Sequence, residues 1–408
     1  MFHLGKHFII LIICGCVFLL LLIIGIIVFL NKPNPINTFV AVGEGSDTIA
    51  WSDDGKIWNK IAADSGFKQR GTCVASNGNV WVAGGQEAPD SNAKNMVFSK
   101  DNGRTWSPVN PPPEKGGNNN IVKGLVWNGT NFIAVGDGFI GGTTAVWSKD
   151  GQNWNSSTSN VVTTTNSFIV YGSVLACNGK ICVCFGGTNE ADLPCAIIYS
   201  DDDGESWVIL NGQGFSTNSA SFLAVNDNNY WVAISMYSKP TNILISSDGK
   251  DWKSPISDKN IFNDSTCELY CVAHDNGSNW VVVGNKGIGF SSDNGQTWVN
   301  ATKNNDDIAD SFSSVVYNGK IWVASSRYSI LYSSDGINWT ESDTNKSQHE
   351  THLCSNGTVW VSGGYQSPAI RWSDDITKPW NSTPDNFFKN VDGKNVGVVH
   401  AIACRYKV

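Results

Sequence analysis

A short motif that ends in tryptophan recurs eight times along this 408-residue chain. The clearest copies read WSDDGKIW, ending at Trp58, and YSDDDGESW, ending at Trp207. Successive final tryptophans lie 41 to 53 residues apart, a period typical of supersecondary units that stack on one another. The eight are Trp58, Trp106, Trp154, Trp207, Trp252, Trp298, Trp339 and Trp380. The chain is therefore expected to fold as one array of repeats.

A second element lies between the tryptophan motifs and pairs Asn-Gly with a short apolar run. It reads NGNVWVAGG from Asn77 and NGSNWVVVG from Asn276. The runs are rich in aromatic and β-branched residues, as strands are. Asn-Gly between two such runs predicts a β-hairpin with a type I′ turn, in which both central residues have positive φ.

The tryptophan motif predicts a tight turn, called the box turn below. Its Ser and Asp can bind backbone amides, and its Gly supplies a conformation that other residues resist. The closing Trp is expected on a short strand, where it covers the neighbouring repeat. Burying one Trp removes about 150–250 Å² from water, at most about 4–6 kcal/mol. The residues given this structural role are Ser52, Asp54, Trp58, Ser99, Asp101, Gly103, Trp106, Asp150, Trp154, Asp202, Gly204, Trp207, Asp248, Trp252, Asp293, Gly295, Trp298, Asp335, Trp339, Asp375 and Trp380.

Each repeat then supplies four strands, which predicts an all-β chain. Four-stranded units of this length packed radially make a β-propeller. We expect eight blades, with seven as the alternative because the last box turn lacks its Gly. The strand at 396–404 has no partners of its own. Placed before residues 38–42 it completes the first blade and closes the ring, which removes exposed sheet edges.

These motifs resemble those of the Asp-box, or BNR-repeat, propellers. The family pattern S-x-D-x-G-x-x-W is matched in full by three copies, which end at Trp106, Trp207 and Trp298. The resemblance covers about residues 37–404. The family includes sialidases, xyloglucan-active glycoside hydrolases, the sortilin ectodomain and the Ycf48 photosystem assembly factors. Membership implies a fold, with the box turns away from the ligand face, and leaves the function open.

An uncharged stretch of 23 residues, 8–30, precedes the repeats. As a helix it extends about 34 Å, enough to cross a bilayer core of about 30 Å. No small-residue cleavage site follows it, so it predicts an uncleaved transmembrane signal anchor. Residues 1–7 are expected in the cytosol and 31–37 as a linker. The propeller at 38–404 and the tail at 405–408 are then luminal, extracellular or on a virion surface.

Composition excludes two classes of protein. Charged residues make up 16% and aromatic residues 11%, whereas disordered chains have high charge and few aromatics. The net charge is −8 and the pI is near 5.2, which excludes nucleic acid as a charge-driven partner.

A sialidase-like active site is one hypothesis. The resemblance would imply three arginines around a substrate carboxylate, a Tyr/Glu pair and an Asp acid. Arg70, Arg327 and Arg371 fall on blades two, seven and eight, and Tyr328 adjoins Arg327. They are weak catalytic candidates, because the Phe-Arg-Ile-Pro motif of sialidases is absent. Loop acids for a paired-carboxylate glycosidase are Glu87, Asp90, Asp137, Glu190 and Asp192.

A membrane-anchored recognition module that binds a glycan or protein without catalysis is the leading interpretation. Its contact residues are expected in loops at one face, where binding residues concentrate. Weak candidates are Phe139, Tyr237, Tyr328 and Tyr365. The alternatives are a sialidase-like glycoside hydrolase and a structural envelope or virion surface protein. High Asn and Ile content suggests an AT-rich genome, such as that of a giant virus or an amoeboid protist. No cofactor and no metal are predicted, since the cysteine spacings match no zinc site.

Two further features concern covalent chemistry. Cys177–Cys182 and Cys184–Cys195 are both possible disulfides, and reduced core cysteines are the alternative. Nine Asn-x-Ser/Thr sequons occur, against about seven expected by chance from this content of Asn, Ser and Thr. They permit glycosylation without arguing for it. Their asparagines are Asn128, Asn155, Asn263, Asn276, Asn300, Asn338, Asn345, Asn356 and Asn381.

Overall fold

The strands of the repeats account for all regular secondary structure that the computed structural model describes. It describes residues 38–45, 47–61, 67–86, 95–110, 121–137, 145–159, 171–187, 195–210, 215, 220–236, 242–256, 266–304, 306–308, 310–342, 349–365, 369–384, 387–388 and 398–405. The predicted anchor at 8–30 and its flanking segments lie outside these ranges. Within them, no helix has the length and apolar character to cross a membrane.

In chain order the strands are β1 (Phe39–Glu44), β2 (Ile49–Ser52), β3 (Asn59–Lys60), β4 (Arg70–Ser76), β5 (Trp81–Gln86), β6 (Met96–Ser99), β7 (Ser107–Pro108), β8 (Ile121–Trp127), β9 (Phe132–Asp137), β10 (Ala145–Ser148), β11 (Asn155–Ser156), β12 (Thr158–Ser159), β13 (Tyr171–Cys177), β14 (Cys182–Gly187), β15 (Ala196–Ser200), β16 (Ser206–Leu210), β17 (Ala220–Val225), β18 (Trp231–Ser235), β19 (Ile243–Ser246), β20 (Leu269–His274), β21 (Trp280–Gly284), β22 (Gly287–Ser291), β23 (Val299–Asn300), β24 (Thr302–Lys303), β25 (Asp306–Asp307), β26 (Phe312–Tyr317), β27 (Trp322–Ser326), β28 (Ile330–Ser333), β29 (Asn338–Glu341), β30 (His349–Ser355), β31 (Trp360–Tyr365), β32 (Ile370–Ser373), β33 (Asn381–Ser382) and β34 (Val398–Cys404).

Antiparallel ladders of two or more residue pairs sort most of the described strands into eight groups, and single pairs such as Glu44–Arg70 and Gln86–Ile121 join neighbouring groups. Group one is β34-β1-β2-β3, and groups two to eight are β4 to β7, β8 to β11, β13 to β16, β17 to β19, β20 to β23, β26 to β29 and β30 to β33. Within the described residues, group five has three strands where four are predicted. A single Ile245–Lys253 bridge stands in place of its outer strand, and Pro255 lacks the N–H that would extend it.

The last strand of the chain belongs to the first group. β34 pairs antiparallel with β1 from Phe39–Cys404 to Glu44–Val398. The first strands of the groups also contact one another in sequence, from β34 through β4, β8, β13, β17, β20 and β26 to β30, and β30 contacts β34. The Ser221 hydroxyl adds a link between groups by donating to the Leu269 carbonyl at 2.7 Å.

The Asn-Gly turns differ from the predicted type I′ geometry. Gly78 has a φ of 93°, but Asn77 is not among the residues with positive φ. The Asn77 carboxamide oxygen instead accepts hydrogen bonds from the Asn79 and Val80 amides at 2.9 and 2.8 Å. Because the side chain satisfies these amides, only Gly78 needs positive φ here; in the group-six turn Asn276, with a φ of 66°, has it in place of Gly277. A positive φ at the first central residue alone is the pattern of a type II′ turn, so the prediction was wrong.

The box turns are held by the side chains of their Ser and Asp. The Ser52 hydroxyl accepts from the Gly55 amide at 2.8 Å, and the Asp54 carboxylate accepts from the Lys56 and Ile57 amides at 2.8 Å. Partial burial raises the pKa of Asp54, but these hydrogen bonds outweigh it and leave the pKa below its ordinary value. The Trp58 indole donates to the Gly55 carbonyl at 2.9 Å.

Each box Trp packs on the preceding group. Trp106 of group two lies in a cluster with Val40 and Ile49 of group one, and Trp58 of group one lies with Val361 and Ile370 of group eight. All eight of these tryptophans are at most 8% exposed. Most of these tryptophans lie just before the outer strand, whereas the sequence predicted them on that strand. They seal the seams between groups, as expected.

The box Gly is needed for close approach as well as for conformation. At Gly204 the φ is +85°, and an added Cβ would lie 2.7 Å from Ile133 of the preceding group. In the last box turn the corresponding residue is Ile376, which is 7% exposed and packs between groups seven and eight with Trp380. That box has therefore changed its turn while keeping its seam contact.

Cations join neighbouring box turns at the surface. Lys56 of group one pairs with Asp374 of group eight at 2.6 Å and lies 4.8 Å from the Trp372 ring. Arg104 makes the same pair of contacts with group one, at 2.7 Å to an Asp and 4.4 Å to a Trp ring. Such exposed pairs contribute about 0–1 kcal/mol each, so they follow the seam geometry rather than create it.

One of the two possible disulfides is present. Cys177 and Cys182 are bonded across the Asn-Gly turn of group four, with Cα atoms 4.1 Å apart. Cys195 is a buried thiol that donates to the Gly186 carbonyl at 3.2 Å. Burial raises its pKa to about 11, so it stays protonated at neutral pH.

Gly204→Ala is expected to lower stability more than Gly319→Ala. Both positions have positive φ, +85° and +91°, but nothing lies within 4 Å of a Cβ at Gly319. Gly319→Ala should therefore lower the free energy of unfolding only by the backbone strain of a positive φ, about 1–2 kcal/mol. Gly204→Ala should lower it by about a further 1–3 kcal/mol, because its Cβ overpacks the seam. Apparent melting temperatures of the full chain in detergent would measure the difference. Equal shifts would contradict the close-packed seam.

Candidate functional site

The ends of the second strands define one face of the groups, opposite the box turns. Two of the four predicted contact aromatics lie there in described segments, at Tyr328 and Tyr365, which are 63% and 47% exposed. They follow or end the second strands of groups seven and eight, whose strands β27 and β30 are in contact. Phe139 and Tyr237 lie outside the described residues.

Tyr328 is held by a short polar turn. The Ser326 hydroxyl accepts hydrogen bonds from the Tyr328 and Ser329 amides at 3.1 and 2.9 Å. The Arg327 guanidinium lies 5.2 Å from the Tyr328 ring, and both side chains are exposed. A positioned aromatic ring with a cation on its face is suited to a carboxylate, a sugar ring or a peptide side chain.

The three candidate arginines lie in different surroundings. Arg327 is exposed, and Arg70 begins β4, where its backbone pairs with Glu44 and Gln86. Arg371 is 7% exposed within β32. A substrate carboxylate needs arginines that converge on an open surface. Arg371, buried between groups, does not present its side chain to such a surface.

Arg371 belongs to a polar seam that sequence reasoning missed. At its place in the strand register the other groups carry Ala50, Val97, Val146, Ile198, Leu244, Gly289 and Leu331. Ser362 lies directly opposite Arg371, and Ser325 lies on group seven; both are at most 1% exposed. Val323 and Trp360 belong to the apolar cluster between groups seven and eight. Ser325 and Ser362 lie two residues further along the same strands and so face the same seam, as does Arg371 opposite Ser362. Aligning the repeats would have revealed the substitution.

A histidine cluster joins groups eight, one and two. It consists of Glu44, Arg70, His352 and His400. His400 Nε2 lies 3.6 Å from the Glu44 carboxylate. Burial and the nearby Arg70 lower the pKa of His400, and Glu44 only partly offsets them. Burial, and then His400, lowers the pKa of His352 to about 4, so it is neutral at physiological pH.

This cluster supplies one carboxylate among the described residues, whereas glycoside hydrolysis needs two. Glu87, Asp90, Glu190 and Asp192, and the side chain of Asp137, lie outside what the structure describes. In the described part of the chain, no three His, Cys, Asp or Glu side chains form a group that could hold a metal ion.

A cavity of about 520 Å³ lies at the turn ends of β17, β20 and β26. Its polar lining includes His274 and Asp275. His274 Nδ1 accepts from the Asn276 amide at 3.2 Å, and Asp275 accepts from the Gly277 amide at 2.7 Å. These atoms hold the turn itself. Burial lowers the pKa of His274 despite the neighbouring acids. The cavity has a ligand-sized volume but its polar groups are committed to structure.

Comparison with known proteins gives distant structural likenesses. No protein-family model and no curated protein matches the sequence. A structure of YCF48 bound to D1 peptide is 14% identical, with a TM-score of 0.43, covering 68% of this chain and 88% of that chain. YCF48 from Cyanidioschyzon merolae is 14% identical, with a TM-score of 0.47 and coverage of 74% and 98%.

A third solved structure is the GH74 enzyme of Niastella koreensis. It is 14% identical, with a TM-score of 0.37, covering 84% of this chain and 62% of that chain. Because these TM-scores are low, the fold of this chain is described from its own strand pairing.

His352→Gln is expected to make the chain less sensitive to mild acid. An unfolded histidine has a pKa of about 6.5, against about 4 for folded His352. The unfolded state therefore binds the extra proton between these values, and stability falls as pH drops through that window, by at most about 3 kcal/mol. The variant should lose less melting temperature than the wild type between pH 7 and about pH 4.

His3→Gln, in the predicted cytosolic stub, is the matched control with the same histidine count. Below about pH 4 both proteins should lose stability alike. Hydrogen bonds from Asn338 outweigh burial and lower the pKa of folded Asp335 to about 2, so the unfolded carboxylate, at about 3.8, takes up its proton first and stability is lost between these values. An unchanged response of His352→Gln between pH 7 and 4 would contradict the burial of a neutral imidazole.

Proposed function

We propose that the chain is a membrane-anchored recognition module that binds a glycan or a protein partner through one face of an eight-bladed β-propeller, without catalysis. The carrying observation is the pair of exposed tyrosines, Tyr328 and Tyr365, on the same face of two adjacent groups.

Three observations support eight blades closed into a ring of the Asp-box type. The described strands form eight groups, and their first strands contact one another in a cyclic order. Trp58 of group one packs on group eight in the way that every other box Trp packs on the group before it. Lys56 and Asp374 repeat at that seam the ion pair made between groups one and two.

Recognition is favoured by the chemistry of the exposed pair. Tyr and Arg are enriched at binding surfaces because they contribute large contact area and directed hydrogen bonds. The Tyr328 ring already has a guanidinium on one face, and the Ser326 turn limits the freedom that binding would otherwise remove. Catalysis is disfavoured because Arg70, Arg327 and Arg371 occupy three unlike surroundings.

Membrane anchoring rests on the sequence of residues 8–30, which lie outside the described structure. The length and apolar character of this stretch support a single span. The 378 residues after it in the sequence contain no comparable stretch, which supports a propeller that is luminal, extracellular or on a virion surface. The Cys177–Cys182 disulfide is compatible with such an oxidising compartment.

A glycan array and a peptide array, probed with the full chain in lipid nanodiscs, test the proposal. The Tyr328→Ala/Tyr365→Ala double variant should bind its array ligand at least about tenfold more weakly, since each exposed aromatic anchor contributes about 1 kcal/mol or more. Ile57→Ala is the matched control, because Ile57 is 70% exposed on a box turn at the opposite end of the strands.

Equal loss in the Ile57→Ala control would contradict the assignment of the binding face. Failure to bind either array would favour the structural envelope role. Turnover of a fluorogenic sialoside that is lost in Arg327→Ala would overturn the non-catalytic assignment and favour the sialidase-like alternative.

A further inference from the structure

The sequons within the described residues differ in what their side-chain amides do; Asn263 and Asn345 lie outside those residues. Asn128 is 4% exposed, and its Nδ2 donates to the Asp203 carboxylate at 3.0 Å. Its Oδ1 accepts from the Thr130 and Asn131 amides at 2.8 and 2.7 Å. A sugar on this nitrogen would have to displace a buried contact between groups three and four. Folded protein therefore requires Asn128 unmodified.

Asn338 is committed in a different way. It is exposed, but it belongs to the box turn of group seven, where its Nδ2 donates to the Asp335 carboxylate at 2.8 Å. The Thr302 hydroxyl also approaches its Oδ1 at 3.4 Å. A sugar on this nitrogen would leave one N–H for Asp335, but it would have to fit between the box turn and β24, which pairs with the strand that carries Asn338.

Asn155, Asn300 and Asn381 share another environment. Each lies one or two residues after a box Trp, on the short outer strands β11, β23 and β33, and both residues of each strand are exposed. Among the described residues these strands pair only with β10, β22 and β32 respectively, and Asn110 of group two bonds to Gln152 and Trp154 just before β11. An outer strand with one free side presents unpaired backbone groups that can pair with another chain.

Apolar surface accompanies these open edges. Val299, beside Asn300, is 52% exposed. Asn155 lies directly opposite Trp147, and Asn381 directly opposite Trp372; both indoles are partly exposed. Directly opposite side chains on an antiparallel pair are about 5 Å apart at Cβ, so a group attached to the Asn would lie over the ring.

We propose that Asn155, Asn300 and Asn381 carry N-linked glycans that cover the open outer edges of groups three, six and eight, and that Asn128 and Asn338 stay unmodified. The inference rests on the luminal location proposed above. The donor is a polyprenyl-diphosphate-linked oligosaccharide. The amide nitrogen loses a proton and bonds to the anomeric carbon of the first sugar, and the polyprenyl diphosphate leaves with the electron pair of the broken bond.

The glycans would protect the edges by bulk and hydration. A sugar chain on a two-residue strand hinders the approach of a second strand, in the way that charge, proline or a covering loop does elsewhere. The three positions are spread over the array, on groups three, six and eight, so their shielding would act at three separate outer surfaces.

Site-resolved mass spectrometry of the full chain from a eukaryotic secretory host tests this. Enzymatic release of glycans in heavy-oxygen water labels each formerly occupied Asn. Labels are expected at Asn155, Asn300 and Asn381 and are not expected at Asn128 and Asn338. A sequon on a flexible C-terminal tag reports independently whether the body reached the lumen.

The outcomes separate the two proposals. An unglycosylated tag would overturn the luminal location and with it this inference. A glycosylated tag with bare Asn155, Asn300 and Asn381, or with label at Asn128 or Asn338, would overturn the inference alone.

Light scattering tests whether the glycans shield the outer strands from association. The triple variant Asn155→Gln, Asn300→Gln and Asn381→Gln should lose the mass of three glycans and shift towards larger species in light scattering. Asn276→Gln is the control, because Asn276 is exposed on a turn rather than on an outer strand. A triple variant that scatters like the control would show that these glycans do not shield the edges.

Discussion

Burial of one tryptophan between successive groups is the interaction on which the rest of this structure depends. Each box Trp leaves its own turn and packs on apolar side chains of the group before it. A small sheet with one such face cannot bury it alone, so stability comes from neighbours. The box Gly follows from the same contact, because a side chain at Gly204 would meet Ile133. Ser and Asp then hold the turn that aims the indole.

The seam requirement explains where variation is found. Strand centres and box turns are constrained by packing, so the groups differ at strand ends and at isolated register positions. Tyr328 and Tyr365 occupy strand ends on adjacent groups and are free to contact a partner. Arg371 and Ser362 occupy a register position that is apolar elsewhere, and they make one seam polar. The exposed tyrosines and the polar seam therefore both lie on groups seven and eight.

Two differences from the sequence-based predictions have local causes. Asn-Gly between strands predicted positive φ at both residues, but the Asn77 carboxamide binds the loop amides and leaves positive φ to Gly78 alone. In the described part of group five a fourth strand is absent because Pro255 interrupts the ladder after one bridge. In both cases a side chain, rather than the pattern of apolar residues, decided the backbone. Such effects are invisible to periodicity.

Period, strand class and the structural role of Ser, Asp, Gly and Trp could be inferred from the sequence, because spacing along a chain dictates which residues share a face. The tertiary structure alone decided which of two disulfides formed, that Arg371 is buried and Arg327 exposed, and that Asn128 is committed while Asn155 is open. These outcomes depend on residues distant in sequence. Burial and hydrogen bonding between groups are properties of the packed array, and identical motifs meet different neighbours there.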